Sequence, residues 1–183
     1  EGPLSSDKKY LFKPFNSCGG YDISQVSPRK ANSYVQEHIK GDAYSCSFII
    51  DDNYFKLLGF NRLLNLISHY ENTFIHAGAL MSTKRFPESF HKAIETLART
   101  LKMRGFNGID FIFDGDNCYI IDINPRLTSP FFLYNDINDN ELLKGQIVNR
   151  YNWERIGNDN KPISGFVHIF TKDDIVFKEK LIE

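Results

Sequence analysis

Apolar and polar positions alternate along this chain in short runs, interrupted once by a long helical stripe. Phe90, Ala93, Ile94, Leu97, Ala98 and Leu101 recur at helical spacing. They predict an amphipathic helix over Glu88 to Met103, started by Pro87 and stopped by Gly105. The shorter runs predict strands at Tyr10 to Lys13, Tyr34 to Lys40, Tyr44 to Ile50 and Tyr54 to Phe60. Two more, Gly108 to Phe113 and Cys118 to Ile123, flank Asp114-Gly115-Asp116-Asn117 and read as a hairpin. Residues 61–83 are mixed and predict no single element. A helix is expected around Asn140 to Tyr151, and a closing hairpin at Phe166 to Phe170 and Ile175 to Lys178. Interspersed strands and helices make the class α+β.

Composition narrows the functional classes. The 183 residues can bury a real core, and 25% charged with 14% aromatic residues is neither disordered nor low-complexity. A net charge of −1 argues against a nucleic-acid or membrane-surface partner, which calls for a basic excess. No apolar stretch approaches the length of a membrane span, and Glu1 to Ser6 lacks a signal-peptide core. Cys18, Cys46 and Cys118 are odd in number and contain no CxxC pair, so a reduced, cytoplasmic protein is expected.

The hairpin carries the most specific chemistry. Both strands are apolar except for one aspartate in each, so both strands are expected to be largely buried. Asp110 and Asp122 face each other only if Asp116 is the centre of the loop. That requires an odd loop such as Gly115 to Asn117, whereas a two-residue turn at Gly115-Asp116 would put them on opposite faces. In the facing register, two like charges need neutralising, and a divalent cation with all-oxygen ligands, magnesium or manganese, does so. Asn124 projects to the same face and can add a neutral oxygen. Arg126 could place its cation near a phosphate or carboxylate. The alternative is an ordinary hairpin with solvated aspartates and Asn124-Pro125 as a turn former.

Two further segments carry weaker signals. Lys13-Pro14 followed by Ser17-Cys18-Gly19-Gly20 sets a strand-end lysine beside a flexible glycine loop, whose N–H groups can approach phosphates. A simple turn explains the same residues, and the Walker pattern is absent. Val35 to Asp42 reads as an edge strand ending in a turn. The five histidines show no metal-ligand spacing and read as surface or core residues.

Taken in order, these pieces resemble the ATP-grasp superfamily. The likeness rests on the lysine strand and glycine loop (Leu11 to Gly20), the segment Val35 to Gly41, and the hairpin ending Asp122-Ile123-Asn124-Pro125-Arg126. Leu58 to Arg62 followed by Ala77-Gly78-Ala79 is similar to small archaeal-type amino-acid ligases within it. The resemblance implies an ATP-grasp fold of antiparallel sheets with flanking helices. A partial lid would occupy residues 1–50, and the C-terminal subdomain with the metal hairpin residues 51–183.

The implied site follows residue by residue. Lys13 would bind the α- and β-phosphates, with the backbone of Gly19 and Gly20 closing over the triphosphate. Gln36 and Glu37 would meet the adenine amino group, Ile39 the ring nitrogen, and Asp42 the ribose. Asp110, Asp122 and Asn124 would bind Mg2+ (or Mn2+), and Arg126 would stabilise the transferred phosphoryl group. The implied reaction is ADP-forming ligation of a small-molecule carboxylate, such as an amino acid, to an amine through an acyl phosphate. One departure from the family pattern is that both carboxylate positions are aspartate where the first is often glutamate.

The resemblance also sets expectations about completeness. Lys13 lies close to the chain start, so the family's N-terminal domain and part of its lid are expected outside this chain, as the remainder of the same enzyme, and a homo-oligomer is compatible with it. A nucleotide-binding non-catalytic module, or an inactive fragment of a larger enzyme, is the alternative reading.

Overall fold

The computed structural model describes residues 5, 7–25, 32–67, 74–138, 140–148, 150–156 and 164–167. Among them, two antiparallel sheets form. The small one pairs β1 (Tyr10–Pro14) with β2 (Ser33–Glu37), setting Lys13 opposite Tyr34 and Leu11 opposite Gln36. The large one has six strands in the order β7-β6-β3-β4-β5-β8. These are β3 (Asp42–Ile50), β4 (Phe55–Ile67), β5 (Phe74–Ser82), β6 (Gly105–Phe113), β7 (Cys118–Asn124) and β8 (Gly165–Val167). Of the expected 1–50 segment, Tyr10–Pro14 and Ser33–Glu37 build the small sheet, while Asp42–Ile50 is a central strand of the large one.

Helix α1 (Glu88–Thr100) covers one face of the large sheet, and α2 (Phe131–Ile137) with α3 (Glu141–Val148) covers part of the other. Strand β3 shows how the two faces arise, because successive side chains of a strand point to opposite sides. Tyr44, Cys46, Phe48 and Ile50 pack with Phe86, Phe90, Ile94 and Ala98. Ile49, on the alternate face, packs with Leu58, Phe106, Phe131 and Tyr134. Helix α1 buries Phe90, Ile94 and Ala98, the stripe that its spacing predicts. It stops at Thr100 rather than Met103, since Lys102 and Gly105 take left-handed backbone angles.

Three further expectations change, and a fourth lies mostly outside the described residues. Strand β2 ends at Glu37, leaving 38–40 as an irregular crossing between the sheets, whereas the alternation predicts strand to Lys40. The unassigned stretch 61–83 holds the rest of β4 and all of β5, paired to each other. Register shifts at Ser47/Phe48 and Leu64/Asn65, with polar Asn61 and Asn65 inside the strand, break the alternation that would reveal it. β7 is an edge strand with Tyr119, Ile120 and Asp122 exposed, so only β6 is the largely buried partner. The expected closing hairpin lies mostly outside the described residues; Phe166 and Val167 belong to β8.

Candidate functional site

The hairpin brings Asp110 opposite Asp122, but not by the odd loop that the sequence favours. Nearest the turn, Phe113 pairs with Cys118 across Asp114–Asn117, the even-loop register. Asp114 organises this turn by accepting N–H bonds from Asp116 at 2.9 Å and Asn117 at 2.7 Å. These bonds hold its carboxyl down at about 2. A register shift between Asp110 and Phe111 then leaves Ile121 unpaired and turns both aspartates to one face. The bulge, not the turn, produces the juxtaposition.

Burial and like charge act together at this pair. Desolvation, reinforced by the Asp122 carboxylate, pushes Asp110 up to about 7; Asn124, Lys13 and Arg126 oppose the shift. Asn124 donates its amide N–H edge to both carboxylates, at 3.4 Å each. Its oxygen accepts from Arg126 at 3.2 Å. Lys13, above the pair on β1, is lowered by burial while the two carboxylates hold it up. Two carboxylates and an amide are hard donors too few for an all-protein cage. Among the described residues no group of three or more His, Cys, Asp or Glu side chains could hold a metal. The set therefore fits magnesium, which takes one or two carboxylates and completes its shell from waters and phosphates.

The pair forms one end of a cleft of about 670 Å³ between the two sheets. All eleven residues singled out in the sequence line it: Lys13, Gly19, Gly20, Gln36, Glu37, Ile39, Asp42, Asp110, Asp122, Asn124 and Arg126. Gly20 has φ +83°, and a Cβ there would lie 1.3 Å from the Phe74 carbonyl oxygen, so this approach of loop to β5 requires glycine. His76 N–H donates to the Gly19 carbonyl at 2.9 Å and fixes the same approach. The Glu37 carboxylate is engaged by Lys8 at 2.8 Å, and Asp42 by Arg62 at 3.5 Å.

Several cleft residues escape the sequence reading. His38 and His76 line it, contrary to their assignment as surface or core histidines, and Ser45, Arg62, Asn65 and Thr128 join them. Ser45, Arg62, Asn65 and His76 reach the cleft through strand register, whereas His38 sits in the irregular 38–40 crossing and Thr128 in the segment between β7 and α2. The side chain of His38 meets Phe74 edge-on at 5.9 Å between ring centroids, joining the irregular 38–40 segment to β5.

The family model for the ATP-grasp domain matches residues 1–130. Tyramine–L-glutamate ligase of Methanocaldococcus jannaschii is 30% identical over 125 residues, 68% of this chain and 38% of that protein. This chain thus spans about two fifths of the length of this relative and of its counterpart in Methanocaldococcus fervens. Among solved structures, an ATP-grasp superfamily protein from Archaeoglobus fulgidus superposes with TM-score 0.57 at 23% identity, over 81% of this chain and 46% of that one. The biotin carboxylase domain of Hydrogenobacter thermophilus 2-oxoglutarate carboxylase, solved with MgADP, gives TM-score 0.60 at 16% identity, over 81% and 39%. At these identities the two structures speak for the fold alone. No helix of the described residues is long and apolar enough to cross a membrane.

Proposed function

This chain belongs to the ATP-grasp family, and from that premise we propose that its cleft binds ATP with magnesium and serves an ADP-forming ligation of an amino-acid carboxylate to an amine. The observation that carries the reading is the opposed Asp110–Asp122 pair, with Asn124 bridging both and Arg126 behind it. The M. jannaschii relative, an amine–amino-acid ligase by name, supports the substrate class. The MgADP-bound neighbour supports the nucleotide and its ion. Because the relatives are longer, turnover is assigned to the whole protein that contains this chain, with the small sheet as part of its lid and a further N-terminal domain alongside.

The chain's own residues then divide the work. Lys13 and the N–H groups of Gly19 and Gly20 hold the phosphates from the lid side. The 36–39 segment presents its backbone to the adenine edge, and Asp42 faces the ribose. Asp110, Asp122 and Asn124 would hold the divalent ion, which when bound neutralises phosphate charge. Arg126 turns its guanidinium to the transferred phosphoryl group. The substrate carboxylate attacks the γ-phosphorus and ADP leaves. The amine then opens the acyl phosphate and phosphate departs. Positioning and charge neutralisation lower the barrier, so no protein nucleophile is required.

Calorimetric titration of the chain with ADP tests this. Magnesium is expected to tighten binding, and Asp122→Asn to remove about tenfold of that gain, the scale of one charge-assisted contact. Equal affinity with and without magnesium in the unsubstituted chain would overturn the reading. ADP release by the whole protein with amino acid and amine mixtures tests the ligation itself.

A further inference from the structure

A buried polar network beneath the cleft floor has no part in the chemistry above. Asn61 on β4 is fully buried, as is Tyr134 on α2, and the Tyr134 hydroxyl lies 2.9 Å from Asn61 Oδ1. Asn61 Nδ2 lies 3.2 Å from Ser45 Oγ and 3.2 Å from Ser47 Oγ, both on β3. Gly59 belongs to the same arrangement: a Cβ there would come within 2.7 Å of the Tyr134 hydroxyl.

The bond directions follow from the donors available. The buried Tyr134 O–H finds its acceptor in the amide oxygen of Asn61. The amide must therefore turn its two N–H groups toward the serines, one for each hydroxyl oxygen. A serine whose oxygen already accepts still has one hydrogen to donate, and that hydrogen points away from Asn61. Ser47 is sealed in the core, whereas Ser45 lines the cleft. Among the described residues the Ser45 O–H meets no acceptor. Ser45 is also the cross-strand partner of Asp110, at the carboxylate end of the cleft.

We infer that Ser45 is a phosphate-recognising residue, its O–H aimed by the Tyr134–Asn61 relay at a nucleotide phosphate oxygen beside Asp110. This rests on the nucleotide reading of the cleft and adds a contact that reading does not contain. Asn61 and Tyr134 are positioning residues, acting only through the serine.

Ser47 supplies the control, since it makes the same bond to Asn61 without reaching the cleft. Calorimetry with MgADP and with adenosine, which lacks phosphate, would be run on Ser45→Ala, Ser47→Ala, Ser45→Thr and Tyr134→Phe, with melting temperatures alongside. Ser45→Ala is expected to weaken MgADP about tenfold, as for a hydrogen bond to a charged group, and to leave adenosine unchanged. Ser47→Ala should stay within about twofold despite losing an equivalent bond, and Ser45→Thr should restore affinity by restoring the hydroxyl. Tyr134→Phe should move in the direction of Ser45→Ala. Equal losses in the two alanine variants, or none in Ser45→Ala, would overturn the assignment. An equal loss for adenosine would overturn the phosphate as its target. No MgADP binding by the unsubstituted chain would instead overturn the nucleotide reading, and the inference with it.

Discussion

On one side of β3, Tyr44, Cys46, Phe48 and Ile50 meet α1 and the rings of Phe86, Phe90 and Phe111. On the other side, Ala43 and Ser45 line the cleft, Ser47 joins a buried amide, and Ile49 packs under α2. The first face is uniformly apolar and its burial stabilises the sheet. The second is graded from wet to dry over a few residues, and its polar groups cost desolvation that their hydrogen bonds only offset. A strand buried on both sides can therefore hold a charged site, because stability is drawn from the face that has no part in it.

Substitution on the α1 side should give the largest stability change and the smallest change in affinity. Ile94→Ala, at a fully buried position, is expected to cost about 2–5 kcal/mol in urea unfolding. MgADP affinity of the folded fraction should stay within about twofold, if the faces are as independent as distant sites generally are. A large affinity loss would show the two faces to be coupled.

The cleft side should instead respond to pH. Asp110 titrates at about 7 when folded and near 3.8 when exposed. Below the lower value both states hold the proton and its burial costs nothing. As pH rises, the unfolded chain ionises first, so stability falls until the folded carboxyl also ionises near 7. In chelator, the chain is expected to be less stable at pH 8 than at pH 4, by on the order of 4 kcal/mol at most. Asp110→Asn should flatten that difference. A rise in stability over the same interval would contradict the burial of this carboxyl.

Gly20→Ala should cost more in thermal melting than the about 1 kcal/mol of forcing a side chain into left-handed backbone, because its Cβ would also strike the Phe74 carbonyl. It should also weaken ADP binding, because the glycine loop must withdraw from the Phe74 carbonyl. Unchanged affinity would mean that the docking of this loop on β5 does not matter to the ligand.

What the sequence discloses follows from how local each cause is. The α1 stripe, the lysine strand and the Asp-x-Asn-Pro-Arg segment depend on near neighbours and are readable as written. The cleft membership of Arg62, Asn65 and His76 depends on pairing between β4 and β5, which irregular registers conceal. Asn61 shows the limit most plainly. It opens the mixed stretch 61–83, and only Tyr134, far along the chain, supplies the partner that makes it a core residue. The facing of Asp110 and Asp122 was readable as a requirement, though the unpaired Ile121 that meets it was not.

That unpaired residue has an engineering consequence. The register shift lies between the Asp114–Asn117 tip and the acidic pair, so the bulge rather than the tip turns the aspartates to one face. The tip is exposed, and a side chain at Gly115 would meet nothing within 4 Å. It is a natural insertion point for a reporter or an affinity tag, and a place where length variation can accumulate without erasing the site.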